Sequence, residues 1–313
     1  MSRRLISAFL LATLAAIPMA RADDTAALKA ASAAVLARPV GATEETVVKI
    51  PRGDATIVGT LELPKDVQKP PVVLLLHGFT GSRDELPIKD TDEGVFSRTA
   101  RLLAERGVGS LRIDFTGSGE SSGKWEDVTA QSEIADALAA FDWLKGQTNI
   151  DPEKIHVLGW SLGGLVAAHV AAERPVASAT LWAPAQNPAY NFAHFLGTEA
   201  VEAAIADPDA EKVVEIKLPW GATTKLKTGF FKSLTTVDPV AAIATYKGPL
   251  LLIVGTKDTV VTPQPAGGEI FLAYHDGPEK LLVLPTDHAF DAFTGPATVD
   301  TMAGASLAVI EGM

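Results

Sequence analysis

HVLGWSLGGLVAAHV (residues 156–170) changes character in its middle. It begins as a short apolar run of the kind that forms a buried strand and ends as small residues spaced for a helix. Between them stands Gly159-Trp160-Ser161-Leu162-Gly163, a G-x-S-x-G pentapeptide at a strand-to-helix turn. A serine that only capped the helix would need no glycine on either side. A turn sharp enough to lift a hydroxyl clear of a sheet needs both, because flanking side chains would collide with the adjoining strand and helix. The reading is an exposed nucleophile at Ser161. The Leu162 amide, at the helix N-terminus, lacks an intrahelical acceptor and can donate to an oxyanion.

Working outward, Val47 to Ile50 and Thr56 to Leu63 read as an antiparallel pair turning at Arg52-Gly53-Asp54. Val72 to Leu76 is continuously apolar, as suits a strand buried on both faces. Helix is expected over Phe96 to Arg106, Ile134 to Lys145 and Leu162 to Ala172. Strands are expected over Val108 to Phe115, Ile155 to Leu158, Ala179 to Trp182, Leu250 to Val254 and Leu281 to Leu284. This alternation predicts an α/β fold, a mostly parallel sheet with helices on both faces. Residues 184–247 break the rhythm and are too many for a plain loop. They are expected to form an inserted cap, with a helix at Glu199 to Ala206 and a hairpin through Val213 to Ile216 and Leu226 to Phe231.

A serine hydroxyl is a weak nucleophile at neutral pH and needs a base, which in turn needs an orienting acid. Of six histidines, His288 follows the last expected strand, at the sheet end that presents Ser161. His77, His156, His169, His194 and His275 lie in a turn, a strand, the elbow helix, the cap and near a helix end. Asp258 follows the strand Leu250 to Val254 at the same sheet end. The order Ser161, Asp258, His288 is the one that elbow-containing folds require. Asp287 adjoins His288 and diverges from it, and Asp114 is assigned to holding the loop Thr116 to Gly119. The second oxyanion donor is expected from the loop His77-Gly78-Phe79-Thr80-Gly81, with the Phe79 amide as candidate. This chemistry calls for no metal and no organic cofactor.

Composition narrows the setting. Arg3 and Arg4 precede an apolar run from Leu5 to Ile17, followed by Ala20-Arg21-Ala22, the pattern of a secretory signal peptide. At about 13 residues the run is short for a membrane span, so no stable membrane insertion is expected after cleavage. Ser2-Arg3-Arg4 hints at twin-arginine export, but the residues after it suit ordinary secretion better. Loss of residues 1–22 removes three arginines and leaves 24 basic against 38 acidic residues, a net charge of −14. That acidity argues against nucleic acid and anionic membranes as partners. The chain has no cysteine, so thiol catalysis and disulfides are excluded even for an exported protein. A bacterial periplasm fits best. Residues 23–40 are alanine-rich and read as a loose helix or leader of low importance, the leader being bounded at 45 and the main domain at 46–313.

The chain resembles the α/β-hydrolase superfamily, and within it the bacterial cinnamoyl/feruloyl esterase-like group. The resemblance rests on HGFTGSRDE (77–85), SLRIDFTGSGESSG (110–123), VLGWSLGG (157–164), GTKDTVVTP (255–263) and DHAF (287–290). It implies hydrolysis of small-molecule carboxylic esters by Ser161, Asp258 and His288, with Phe79 and Leu162 as oxyanion amides and the cap shaping an acyl pocket. In TGFFKSL (228–234) the cap offers Phe230 and Phe231 where hydroxycinnamate-cleaving members use polar groups. With Tyr190, Asn191 and Trp220 these are the candidates for substrate contact, or simply the core of the cap. Two alternatives stand beside the esterase: a peptidase with Glu199 or Glu215 receiving an amino terminus, and a binding protein that keeps the fold without turnover.

Overall fold

The computed structural model describes residues 17–312, with side chains from Asp24 onward. The apolar run of the expected export signal, Ile17 excepted, lies outside them. The chain order is α1 (Ile17–Leu36), β1 (Thr43–Arg52), β2 (Ala55–Pro64), β3 (Val72–Leu76), α2 (Val95–Ala104), β4 (Gly109–Ile113), α3 (Ala130–Lys145), β5 (Ile155–Trp160), α4 (Leu162–Glu173) and β6 (Ala179–Trp182). Then come α5 (Pro188–Leu196), α6 (Thr198–Ala206), β7 (Val213–Lys217), β8 (Thr223–Lys227), α7 (Thr228–Ser233), α8 (Pro239–Thr245), β9 (Leu250–Gly255), α9 (Ala266–Tyr274), β10 (Glu279–Leu284) and α10 (Ala297–Ile310).

Eight strands form one sheet in the order β1-β2-β4-β3-β5-β6-β9-β10. The pairings of β1 with β2 and of β2 with β4 are antiparallel, and every other pairing is parallel. The continuous apolar runs lie inside it: β3, β4, β5, β6 and β9 are buried at every residue. Successive side chains of a strand point to opposite faces. Leu74, Val157 and Leu252 accordingly join one core with α3 and α4, while Val73, Leu158 and Leu251 join the other with α2 and α10. The register aligns the strand ends. Leu76 lies opposite Gly159, Trp160 opposite Trp182, and Gly255 opposite Leu284. The loops leaving β3, β5, β9 and β10 therefore emerge at one end of the sheet, where parallel α/β folds place ligands.

Three expectations change. The helix expected as loose over 23–40 is docked: α1 buries Leu28 and Val35 in the second core, and β1 already begins at Thr43, inside the expected leader. Ser32 Oγ donates to the Thr301 carbonyl at 2.9 Å, the Val283 N–H donates to Thr25 Oγ1 at 3.1 Å, and Arg106 Nη2 donates to the Leu36 carbonyl at 2.7 Å. The alanines hid this because a helix of small residues docks by close approach, here at Gly304 of α10, rather than through a stripe of large apolar groups. Second, the cap hairpin ends at Lys227 and α7 begins at Thr228, so Phe230 and Phe231 are helical, not strand, residues. Third, α8 packs on α4 and α9, so the cap gives way to the main helical layer well before residue 247.

Candidate active site

Ser161 occupies the turn between β5 and α4 with φ +56° and ψ −113°, a conformation that costs an L-residue about 1–3 kcal/mol and persists only where the surroundings enforce it. Here they do. The Ser161 amide donates to the Trp182 carbonyl at 2.9 Å, and its carbonyl accepts from the amides of Gly164, Leu165 and Ala185 at 3.0, 3.2 and 3.1 Å. The flanking glycines are obligatory. A Cβ on Gly159 would lie 2.0 Å from the Gly163 carbonyl oxygen, and one on Gly163 would lie 2.0 Å from that of Leu76.

The structure brings Ser161, His288 and Asp258 together. Ser161 Oγ lies 3.0 Å from His288 Nε2, and His288 Nδ1 lies 2.7 Å from Asp258 Oδ2. The other oxygen, Asp258 Oδ1, accepts from the amides of Val260 and Val261 at 2.8 and 2.9 Å. An acid so fixed can only accept, so Nδ1 carries the imidazole proton and Nε2 faces the serine as acceptor. The arrangement can move a proton from hydroxyl to imidazole and stabilise the resulting imidazolium. Asp287 lines the cavity and accepts from the Asp291 amide instead. Asp114 is fully buried and accepts from the amides of Arg83 and Glu120 at 2.7 and 2.9 Å, so its place is in the loop scaffold.

Leu162 is the first residue of α4, so its N–H is beyond reach of any intrahelical carbonyl. The loop after β3 turns back on itself at Gly78, whose carbonyl accepts from the Gly81 amide at 3.0 Å and from His77 Nδ1 at 2.8 Å. His77 Nε2 accepts from the Phe115 amide, and burial holds the ring down at about 4, so it stays neutral with its proton on Nδ1. Neither the Phe79 nor the Leu162 amide has an acceptor among the described residues.

A cavity of about 740 Å³ extends from Ser161 beneath the cap. Its walls are mainly apolar, with Phe79, Trp160, Phe192, Phe195 and Trp220 among the large side chains on them, and among the described residues no lysine or arginine lines it. Of the substrate-contact candidates, Trp220 is on the wall and 60% exposed. Asn191 also lines it. Tyr190 does not: it stands half exposed outside, stacked on His194 at 6.3 Å. Phe230 and Phe231 do not either, because α7 turns both fully into the cap core. Phe230 stacks on the Phe79 ring at 5.5 Å and meets the Phe192 ring at 5.3 Å, so it reaches the site through these two wall residues. Sequence reasoning missed Phe192, Phe195, Glu85 and Phe293. The signal for the first two was Asn187-Pro188, an N-cap followed by proline at N1 that announces α5. Glu199 and Glu215 are exposed and line no part of the cavity.

Comparison with known proteins agrees with this architecture. The profile of the alpha/beta hydrolase family matches residues 73–311. The chain is 28% identical over 216 residues to an uncharacterized protein of Mycobacterium tuberculosis, a match covering 69% of this chain and 61% of that one. It is 28% identical over 228 residues to the acylamino-acid-releasing enzyme of Arabidopsis thaliana, covering 70% of this chain and 27% of the enzyme. The chain thus spans less than two thirds of the length of either relative. Among solved structures, Est1E from Butyrivibrio proteoclasticus with bound ferulic acid superposes with a TM-score of 0.63 at 25% identity, covering 82% of this chain and 97% of that one. The esterase domain of a Rhodothermus marinus protein superposes at 0.60 and 22% identity, covering 86% and 97%. A family match over most of the length, on a sheet whose strand order and elbow conform to it, places this chain in the alpha/beta hydrolase family.

Proposed function

We propose that the protein is an exported serine carboxylesterase in which Ser161 is the nucleophile, His288 the general base and acid, and Asp258 the orienting acid. The observation that carries this reading is the hydrogen-bonded chain Ser161–His288–Asp258 at the mouth of an apolar cavity. Ser161 Oγ attacks the ester carbonyl while His288 Nε2 takes its proton. The carbonyl oxygen becomes an oxyanion received by the Phe79 and Leu162 amides. Collapse of the tetrahedral intermediate expels the alcohol, which leaves with the proton from His288. Water, deprotonated by the same imidazole, then attacks the acyl-enzyme, and release of the carboxylic acid regenerates Ser161. Each preorganised oxyanion donor contributes about 3–4 kcal/mol of transition-state stabilisation.

The cavity supports a substrate class as well. With aromatic walls, the acids Glu85 and Asp287, and no cationic side chain, it suits esters whose acyl and alcohol parts are uncharged. Anionic esters would meet Asp287 on an acidic protein, with no cation on the described wall to receive them. Feruloyl and other aryl-substituted acyl esters fit in size and polarity, and the likeness to the ferulate-bound esterase supports testing them first. The acylamino-acid-releasing relatives favour one second reading, cleavage of an N-acylaminoacyl bond by the same serine. Export to a bacterial periplasm belongs to the proposal and rests on the amino-terminal pattern.

The test is a panel of p-nitrophenyl esters, methyl ferulate, an aminoacyl anilide and its N-acyl derivative, with Ser161→Ala alongside. Ester turnover that the substitution abolishes is the expected result. Ester turnover unchanged in Ser161→Ala refutes the mechanism, and turnover confined to an anilide moves the reading to a peptidase. A mature N-terminus at Asp23 in the periplasmic fraction of the expressing cell is the corresponding outcome for export.

A further inference from the structure

The loop that supplies the Phe79 amide contains a carboxyl group for which the triad chemistry has no use. Residues 83–86 follow that amide closely, and three of the four are pinned from outside. Arg83 is ion-paired with Asp114 and Glu120, and its own amide also donates to Asp114. Asp84 accepts from Arg112 Nε at 2.9 Å, and Arg112 is held in turn by Glu45 and Glu62. The Leu86 carbonyl accepts from the Val95 amide at 2.9 Å. Between these anchors Glu85 is forced to φ +61°, a left-handed conformation uncommon for a side chain of this kind. Its side chain turns inward to the cavity wall that Ser161 and His288 share.

There Glu85 Oε1 accepts from the Gly78 amide, and the Leu86 amide donates to the same carboxyl. A Cβ on Gly81 would lie within 2.6–3.0 Å of the carboxyl atoms, so the group is packed against the oxyanion loop itself. A Cβ at residue 78 would stand 3.5 Å from Ser161 Cβ, in van der Waals contact with the nucleophile. Glycine at that point brings no conformational preference of its own. The direction of the chain through Gly78 is therefore set by the hydrogen bonds of the two peptides that meet there, the N–H of the first on Glu85 and the carbonyl of the second. That carbonyl is tied to His77 and Gly81, and in a trans peptide the N–H points the opposite way.

We infer that Glu85 is a positioning residue of the oxyanion site: by accepting the Gly78 N–H it fixes the His77–Gly78 peptide, and with the Gly78 carbonyl held by His77 and Gly81 this leaves the next peptide with the Phe79 N–H turned toward the reacting carbonyl. This rests on the esterase reading and deepens it. Among the described residues no cation faces the carboxyl. Arg83 and Arg112 are committed to other acids, and the ionisable groups nearest the cavity are His77, which is neutral, His288, which is bound to Asp258, and Asp287. Withdrawal from solvent pushes Glu85 up to about 8, so at neutral pH it works as an uncharged acid and opposes no charge on the oxyanion.

The experiment compares wild type, Glu85→Gln and Glu85→Ala on p-nitrophenyl butyrate between pH 6 and 9.5, with circular dichroism to show that each is folded. In Glu85→Ala, kcat falls roughly 10- to 100-fold, less than the 10²–10³ of deleting an oxyanion donor outright, while KM changes under threefold. Glu85→Gln, which keeps the acceptor, restores kcat to within about threefold at pH 7. Wild-type kcat declines above about pH 8 as the carboxylate forms, and that decline is absent in Glu85→Gln. Unchanged kcat in Glu85→Ala, a loss that appears in KM alone, or a loss that Gln does not restore overturns the inference. Should Glu85→Ala not fold, the kcat ratio between pH 9 and pH 7 decides, and equal ratios in wild type and Glu85→Gln overturn it. Ser161-dependent turnover insensitive to residue 85 defeats only this inference, whereas Ser161-independent turnover defeats the esterase reading itself.

Discussion

Phe230→Ala separates two jobs that the cap core performs at once. The Phe230 ring is fully buried and lies 5.5 Å from Phe79, 5.3 Å from Phe192 and 5.3 Å from Phe231. Truncating a buried phenylalanine to alanine costs roughly 3–5 kcal/mol through lost transfer energy and the hole left behind. Three ring pairs at 5–6 Å, each adding about 0.5–1.5 kcal/mol beyond area, put this site toward the upper end. Phe79 and Phe192 both line the cavity, and of the two it is Phe79 whose amide is proposed to serve the reaction. A ring that drops into the hole drags its own amide from the reacting oxygen, and a shift of about 1 Å at such a donor is worth up to 10²-fold in rate. The expected outcome is a loss of about 3–5 kcal/mol in guanidinium unfolding followed by tryptophan fluorescence, together with kcat lowered at least about tenfold below the new transition. Phe230→Leu should lie between variant and wild type in both. Wild-type kcat in a protein that has lost the stability would refute the reasoning, since it would show the Phe79 amide to be held without its ring.

Other substitutions carry equally definite expectations. Asp258→Asn should leave the fold intact and lower kcat by about 10⁴, as loss of the orienting acid does in other serine triads; steady-state kinetics above wild-type-like circular dichroism check it. Gly163→Ala should yield no soluble folded protein, because its Cβ would meet backbone rather than a movable side chain; the soluble fraction on expression decides. Glu62 is raised to about 7 by burial, against the partial counterweight of Arg112. The folded chain thus holds a proton that the unfolded chain releases near 4.5, so stability falls as pH rises from about 4.5 to 7 and is flat beyond. Glu62→Gln should shrink the difference between unfolding free energies at pH 5 and pH 8, and an unchanged difference would assign that slope elsewhere.

What the sequence made legible was whatever depends on local sterics and chain order. The pentapeptide at Ser161 announces itself because only glycine fits at 159 and 163, and the unbroken apolar runs of β3, β5 and β9 leave no alternative to a doubly covered sheet. Once those strands were ordered, His288 and Asp258 followed from the sheet end to which their loops belong. The cap resisted for the opposite reason. Whether Phe192, Phe230 or Tyr190 meets the cavity depends on how short helices settle against Phe79, a tertiary fact with no periodic trace. Glu85 was illegible because a glutamate in a glycine-rich loop reads as solvated until the anchors at Arg83 and Asp84 are seen to turn it inward.

The hydrogen bond between the Val283 amide and Thr25 Oγ1 has a consequence for how the molecule behaves in a crowd. β10 ends the sheet, and an end strand offers unpaired amides to any extended chain that passes. At β10, α1 packs against the strand and Thr25 accepts from one of its outward amides. The opposite border, β1, is left open but interrupted by Pro51 and by the charges of Glu44, Glu45 and Lys49, which discourage pairing. One border is thus protected in part by covering and the other by composition. The alanine-rich segment before residue 40 serves as a guard against self-association, and a protein trimmed of it would gain a sticky edge along with its loss of stability.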